Sequence, residues 1–117
     1  STAGTGKLLE MLEPLVDQQE EETLPTEYEL SQNYPNPFNP FTTIQFYLPQ
    51  PGHVRLEIYN IMGQEVATIV NEYLTDGPHT VIWNGKDNKG SDAASGLYLY
   101  RLIAGETIIT KRMMLLK

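Results

Sequence analysis

From Gly96 to Lys117 the sequence reads strand, tight turn, strand, and this constrains the rest of the chain more than any other feature. Between Leu97 and Ala104 the residues alternate, with Tyr98, Tyr100 and Leu102 on one face and Leu97, Leu99, Arg101 and Ile103 on the other. Ala104-Gly105-Glu106 supplies a short loop whose glycine can adopt positive φ, and Thr107 to Leu116 is a β-prone return strand. In that return strand the apolar residues do not choose a face. Ile108, Met114 and Leu116 share one parity, while Ile109, Met113 and Leu115 share the other. A strand with two apolar faces has to be covered on both, or wait for a partner on one.

The same period of two recurs upstream. Thr43 to Leu48 places Ile44, Phe46 and Leu48 inward, and Val54 to Asn60 places Val54, Leu56 and Ile58 inward. Ile61-Met62-Gly63-Gln64 is a turn, Glu65 to Val70 a further strand, NEYLTDGP a loop, and His79 to Trp83 another strand with Val81 and Trp83 on one side. No helical pattern separates any two of these strands, which disfavours parallel βαβ units. The expected fold is an all-β, Ig-like antiparallel sandwich of about seven strands. Its predicted core is Ile44, Phe46, Leu48, Val54, Leu56, Ile58, Val81, Trp83, Tyr98, Tyr100 and Leu102. Before the first strand, YELSQNYPNPFNP carries Pro35, Pro37 and Pro40 among asparagines, so it should be extended or turning and excluded from a sheet centre.

Charge divides the chain in two. Of fifteen acidic residues, eight lie in residues 1–32 against the single base Lys7, so that stretch carries −8 + 1 = −7; the rest balances seven against seven. Residues 1–27 are therefore expected to be an acidic, partly helical tail, linker or end of an upstream domain, with the sandwich in residues 28–117. Leu8, Leu9, Met11, Leu12, Leu15 and Val16 have helical spacing interrupted by Pro14, and segment 7–16 could support self-association. Ser1-Thr2-Ala3-Gly4 has none of the basic and apolar character of a signal peptide. With no basic patch, nucleic acid is an unexpected partner.

The residues point away from catalysis. GTGK lacks the glycine spacing of a P-loop, and there is no nucleophile elbow or dinucleotide fingerprint. His53 and His79 are each at a strand start, and with no cysteine they make neither a zinc site nor a catalytic pair. Asp87, Asn88 and Asp92 in NGKDNKGSDAAS could offer oxygens to calcium, yet their spacing is not that of an EF-hand, and the same residue types build ordinary turns. The expectation is a non-enzyme with no cofactor and no metal.

Taken in order, NYPNPFNPFTTIQFYLPQPGHVRLEIYNIMGQEVATIV, HTVIWNGKDNKG, ASGLYLYRL and KRMMLLK resemble the C-terminal type A sorting domain of the bacterial type IX secretion system. The resemblance spans about Tyr28 to Lys117. It implies an Ig-like domain that addresses an upstream cargo domain, by way of the periplasm, to an outer-membrane translocon. There a sortase-like peptidase removes the domain, leaving the cargo secreted or at the cell surface. On this resemblance Gly96 and Tyr98 match the strand motif, Lys111, Arg112 and Lys117 match the basic end, and Met113 and Leu115 join them as recognition residues. A second reading, a structural Ig-like module such as that of flagellar hook-capping scaffold proteins, shares the WNGxD and SGxYxYRL stretches. A sugar-binding module is disfavoured, because only Tyr47 and Tyr59 are candidate exposed aromatics.

Overall fold

The computed structural model describes residues 27–117. Seven strands run through them: β1 (Glu29–Leu30), β2 (Thr42–Leu48), β3 (Gly52–Asn60), β4 (Glu65–Leu74), β5 (Gly77–Trp83), β6 (Gly96–Ala104) and β7 (Thr107–Leu115). They form two antiparallel sheets, ordered β1-β2-β5 and β4-β3-β6-β7, with no helix among the described residues. This is the expected Ig-like sandwich. The acidic tail through residue 26, including segment 7–16, lies outside the described residues.

The buried rows follow the alternation. Ile44, Phe46 and Leu48 of β2 face Val54, Leu56 and Ile58 of β3 and Tyr98, Tyr100 and Leu102 of β6 across the sandwich, with Trp83 of β5 among them. Val81 is half-buried and packs against this cluster from its margin, so the expected core loses that one member. The core gains Leu30, Phe38, Ala67, Val70, Ala93, Ala104, Met113 and Leu115. Ala67 and Val70 are three apart, which breaks a period of two. A bulge at Ile69 shifts the β3–β4 register between Leu56–Val70 and Glu57–Thr68 and turns both side chains inward.

Two strand limits differ from the expectation. The stretch Asn71–Leu74, expected to be loop, continues β4, because β3 begins early at Gly52 and pairs Gly52 to Arg55 with Leu74 to Asn71. Strand β1 is two residues long, too short for its alternation to show in sequence. The return strand also resolves its parity. Met113 and Leu115 are fully buried and Ile109 packs against the core, whereas Ile108 and Leu116 are exposed on the outer side. The choice is imposed by pairing with β6, whose Tyr98 and Tyr100 stand opposite Met113 and Lys111.

Candidate recognition surface

The four motif stretches converge on one end of the sandwich, where β3 and β5 finish, β6 begins and β7 finishes. Trp83 is at the centre, its ring 5.6 Å from Phe38 and edge-on to Tyr98 at 5.4 Å. Its Nε1–H donates to the Lys86 carbonyl at 2.9 Å. That bond begins the folding of the 84–95 loop. Gly85 has φ 73°, and a Cβ there would stand 3.0 Å from the Pro40 carbonyl oxygen, so WNG requires its glycine for both reasons. Asp87 Oδ1 then accepts the N–H groups of Lys89 and Ser91, and Asn88 ties the loop to β4 through Val66 O and Thr68 N. The Asp87 carboxylate is thus committed to closing a turn. No group of three or more His, Cys, Asp and Glu is close enough to hold a metal among the described residues.

The NYPNPFNP stretch is a strap laid along the free edge of β7. The Phe38 N–H donates to Met114 O and Leu116 N–H donates to Phe38 O, both at 3.0 Å, in a parallel bridge with Leu115. Asn36 Oδ1 accepts Met114 N–H at 3.0 Å, and Gln32 Nε2 donates to Arg112 O at 2.7 Å. Behind the strap, buried Asn33 donates its side chain to Thr42 Oγ1 and Pro35 O. Its backbone N–H donates to the Tyr100 hydroxyl, which itself donates to Ser31 O at 2.7 Å. Burial raises the Tyr100 pKa above the usual phenol value, with the bond from Asn33 opposing it, so the hydroxyl remains a donor at neutral pH. The backbone edge that a terminal strand would leave open is therefore closed from Arg112 to Leu116.

The residues expected to mediate recognition separate by position. Tyr98 is buried, its hydroxyl donating to Ala94 O at 2.6 Å, and Gly96 opens β6 at φ 152°. Met113 and Leu115, 1% and 0% exposed, are core side chains that the folded domain does not present. Lys111 is half-buried at the sandwich margin, Arg112 is exposed on the outer face opposite Leu99, and Lys117 is exposed with its N–H held by Ser95 Oγ at 3.0 Å. Deleting Met113 to Lys117 would therefore remove two core side chains and destabilise the fold itself.

The outer face of the larger sheet holds a charge cluster that periodicity did not disclose. Glu57, only 4% exposed, accepts hydrogen bonds from Arg55 and from the Tyr59 hydroxyl, and Arg101 Nη2 lies 3.6 Å away. Arg101 in turn stacks over the Tyr59 ring at 4.7 Å and donates to its hydroxyl. Burial pushes the Glu57 carboxyl up, but the Tyr59 bond and the two guanidinium groups outweigh it and hold the pKa below the usual value. At the motif end, Lys86 Nζ pairs with Asp92 at 2.8 Å, and the nearby Lys117 lowers the Asp92 carboxyl further.

A family model, the FlgD Ig-like domain, matches residues 40–107, more than half of the chain. The chain belongs to the FlgD Ig-like domain family. The matched span covers β2 to β6 and stops where β7 begins; the strap lies before it. Among solved structures, dimeric latent PorU from Porphyromonas gingivalis is similar at TM-score 0.65 and 21% identity over 80% of this chain and 10% of that one. PorZ, an essential bacterial surface component of the type-IX secretion system of the same organism, is similar at TM-score 0.53 and 18% identity over 74% of this chain and 11% of that one. This chain thus spans about a tenth of those proteins, and at such identities the likeness is one of fold. No curated protein matches it.

Proposed function

We propose that this FlgD Ig-like family member is a non-catalytic C-terminal sorting domain. It directs an upstream cargo domain through a type IX translocon to the cell surface, where a sortase-like peptidase processes the junction. The observation that carries the reading is the convergence of NPFNP, IYNxxGxEV, WNGxD, SGxYxY and the basic end on one end of the sandwich. NPFNP, WNGxD and SGxYxY meet around Trp83 and the last half of β7, and IYNxxGxEV joins them through the backbone bond from Asn88 to Val66. The likeness in fold to PorZ, a component of that system, supports it. Arg112 and Lys117 are both exposed at this end. The test is a reporter fused ahead of residues 28–117 in a bacterium that carries the machinery. The parent fusion should reach the surface, and Arg112→Glu with Lys117→Glu should leave it folded but periplasmic, while Lys89→Ala is exported. Equal surface delivery of the charge-reversed fusion would return the domain to the structural-module reading, which the family match to residues 40–107 favours.

A further inference from the structure

The strap is a loop on a fixed neck. Tyr34 and Thr43 exchange backbone bonds of 2.9 and 2.8 Å, and behind them Asn33 Nδ2 donates to Thr42 Oγ1, which itself donates to Pro35 O. None of these bonds involves β7. Residues 35–41 project from that neck, and their middle is what meets the strand. The Phe38 ring sits against Trp83, while Tyr34 and Phe41 on either side are 78% and 58% exposed. Swinging the loop away about its neck therefore breaks three hydrogen bonds to β7 and uncovers one ring, leaving the ladders of both sheets paired as before.

What the loop covers is a strand edge. Met114 turns both its N–H and its C=O away from β6, so Arg112 and Leu116, two residues to either side, do the same. The edge thus presents the N–H and C=O of Arg112 and of Met114 and the N–H of Leu116. The Phe38 backbone satisfies Met114 O and Leu116 N–H, and the side-chain amides of Asn36 and Gln32 stand in at Met114 N–H and Arg112 O. Arg112 N–H has no partner among the described residues. The reason for so sparse a match is proline. Pro40, two residues past Phe38 on the same edge, has no N–H to give, and its carbonyl lies against Gly85. The strap closes the edge without building a ladder, whereas an extended segment free of proline would meet each of these groups with its own backbone.

We infer that this edge is a peptide-binding groove held shut in cis by the strap: an extended, proline-free segment of a partner protein displaces residues 35–41, pairs with Arg112 to Leu116, and sets an aromatic side chain in the place of Phe38 beside Trp83. The strap itself shows the chemistry that the groove accepts, since it seats an aromatic ring between two backbone hydrogen bonds. The inference goes beyond the sorting reading, because it assigns a ligand class to β7 whichever protein supplies the segment. It also gives Met113 and Leu115 a part in recognition that needs no exposure: their side chains stay in the core and hold the edge in position.

The test uses the full chain and a synthetic peptide of residues 32–41 carrying Pro35→Thr, Pro37→Thr and Pro40→Thr, with binding followed by amide NMR. Two variants of the chain loosen the cover. Asn36→Ala removes one bond to β7 and leaves the core whole, and Phe38→Ala removes the seated ring. The groove is free only while the strap is away, so the apparent affinity rises with the open fraction. Asn36→Ala should melt close to the parent and bind the peptide about tenfold more tightly, with the spectral changes and slowed exchange centred on Arg112, Met114 and Leu116. Phe38→Ala should move further in the same direction, and the peptide that itself carries Phe38→Ala should bind less tightly to every chain. Equal affinity for the parent and both variants, or changes centred on the other sheet edges β4 and β5, would overturn the inference. Dimers of the Phe38→Ala chain that grow with concentration and exclude the peptide would overturn the partner protein in favour of a second copy of this chain.

Discussion

The body of the sandwich and the strap over β7 are attached by different physics. Strands β2 to β6 are joined by continuous ladders, seven pairs between β2 and β5 and seven between β3 and β6, and their inward residues form one unbroken core. The strap reaches β7 through one short bridge, two side-chain amides and one buried ring, Phe38. A ladder distributes its stability over many groups, so loss of one group is shared. A strap fastened at four points can be opened by removing one of them, without unfolding what lies beneath. That difference separates the span matched by the FlgD Ig-like family, residues 40–107, from the parts outside it, which hold each other.

The most severe way to test the comparison is to break the body. Trp83→Ala should destabilise the domain by about 3–5 kcal/mol, since the ring is 1% exposed and its removal also orphans the partners Phe38 and Tyr98. The melt should stay a single transition at a much lower temperature. Phe38→Ala removes the corresponding anchor of the strap. The expected loss is smaller, about 2–4 kcal/mol, because the site opens to solvent and can collapse. Amide exchange should then quicken at Met114 and Leu116, while β2 and β3 keep the protection set by the global stability. If Phe38→Ala instead lowers protection everywhere equally, strap and body are one cooperative unit and the distinction fails.

Sequence pattern revealed the body and missed the strap, and the reason is physical. Alternation reports burial only where a strand is long enough to repeat, as in IQFYL and VRLEI, and ten of the eleven expected core residues are buried. Val81 fell outside because it lies on β5, an edge strand whose flank the opposing sheet covers incompletely. Phe38 and Asn33 have no periodic neighbours, since they are held by residues some seventy positions away, and Leu30 lies on a strand of two residues, too short to repeat. The parity of β7 was undecidable for a related reason. Its two apolar sets are both present because one packs inside and the other lies on the outer face, and no local rule says which. Of the recognition residues, Arg112 and Lys117 are exposed, Lys111 half so, and Tyr98, Met113 and Leu115 serve the core; only register distinguishes them.

A finer cut at the strap leaves all apolar packing in place. Tyr100→Phe deletes the hydroxyl that donates to Ser31 O and accepts from Asn33 N, leaving two backbone groups near the strap without partners. A loss of about 1–2 kcal/mol is expected in a denaturant melt with an unchanged m-value. A loss below the error of the melt would mean that water replaces the hydroxyl and that the strap does not depend on it.

The smallest expected effect lies on the outer face of the body, and it carries a sign in pH. The Glu57 carboxyl is held below its ordinary value of about 4.3, so the folded state favours the ionised form. Its contribution is complete above that ordinary value and is lost as pH falls through the lower folded value. Glu57→Gln cannot accept from Arg55 and Tyr59 with a full charge, and should cost about 1–2 kcal/mol at pH 7. Arg55 and Arg101 retain partial exposure, which lets water take up the released charge and keeps the loss from being larger. As the pH falls from neutral to below the ordinary carboxylate value the parent should lose this advantage, so the two melting curves approach each other as acid is added. The strap contains no titrating group in its contacts with β7, so amide exchange at Met114 should be insensitive to the same substitution. Faster exchange there in Glu57→Gln would show that the outer-face charges hold β7 in place, and that body and strap communicate through β6.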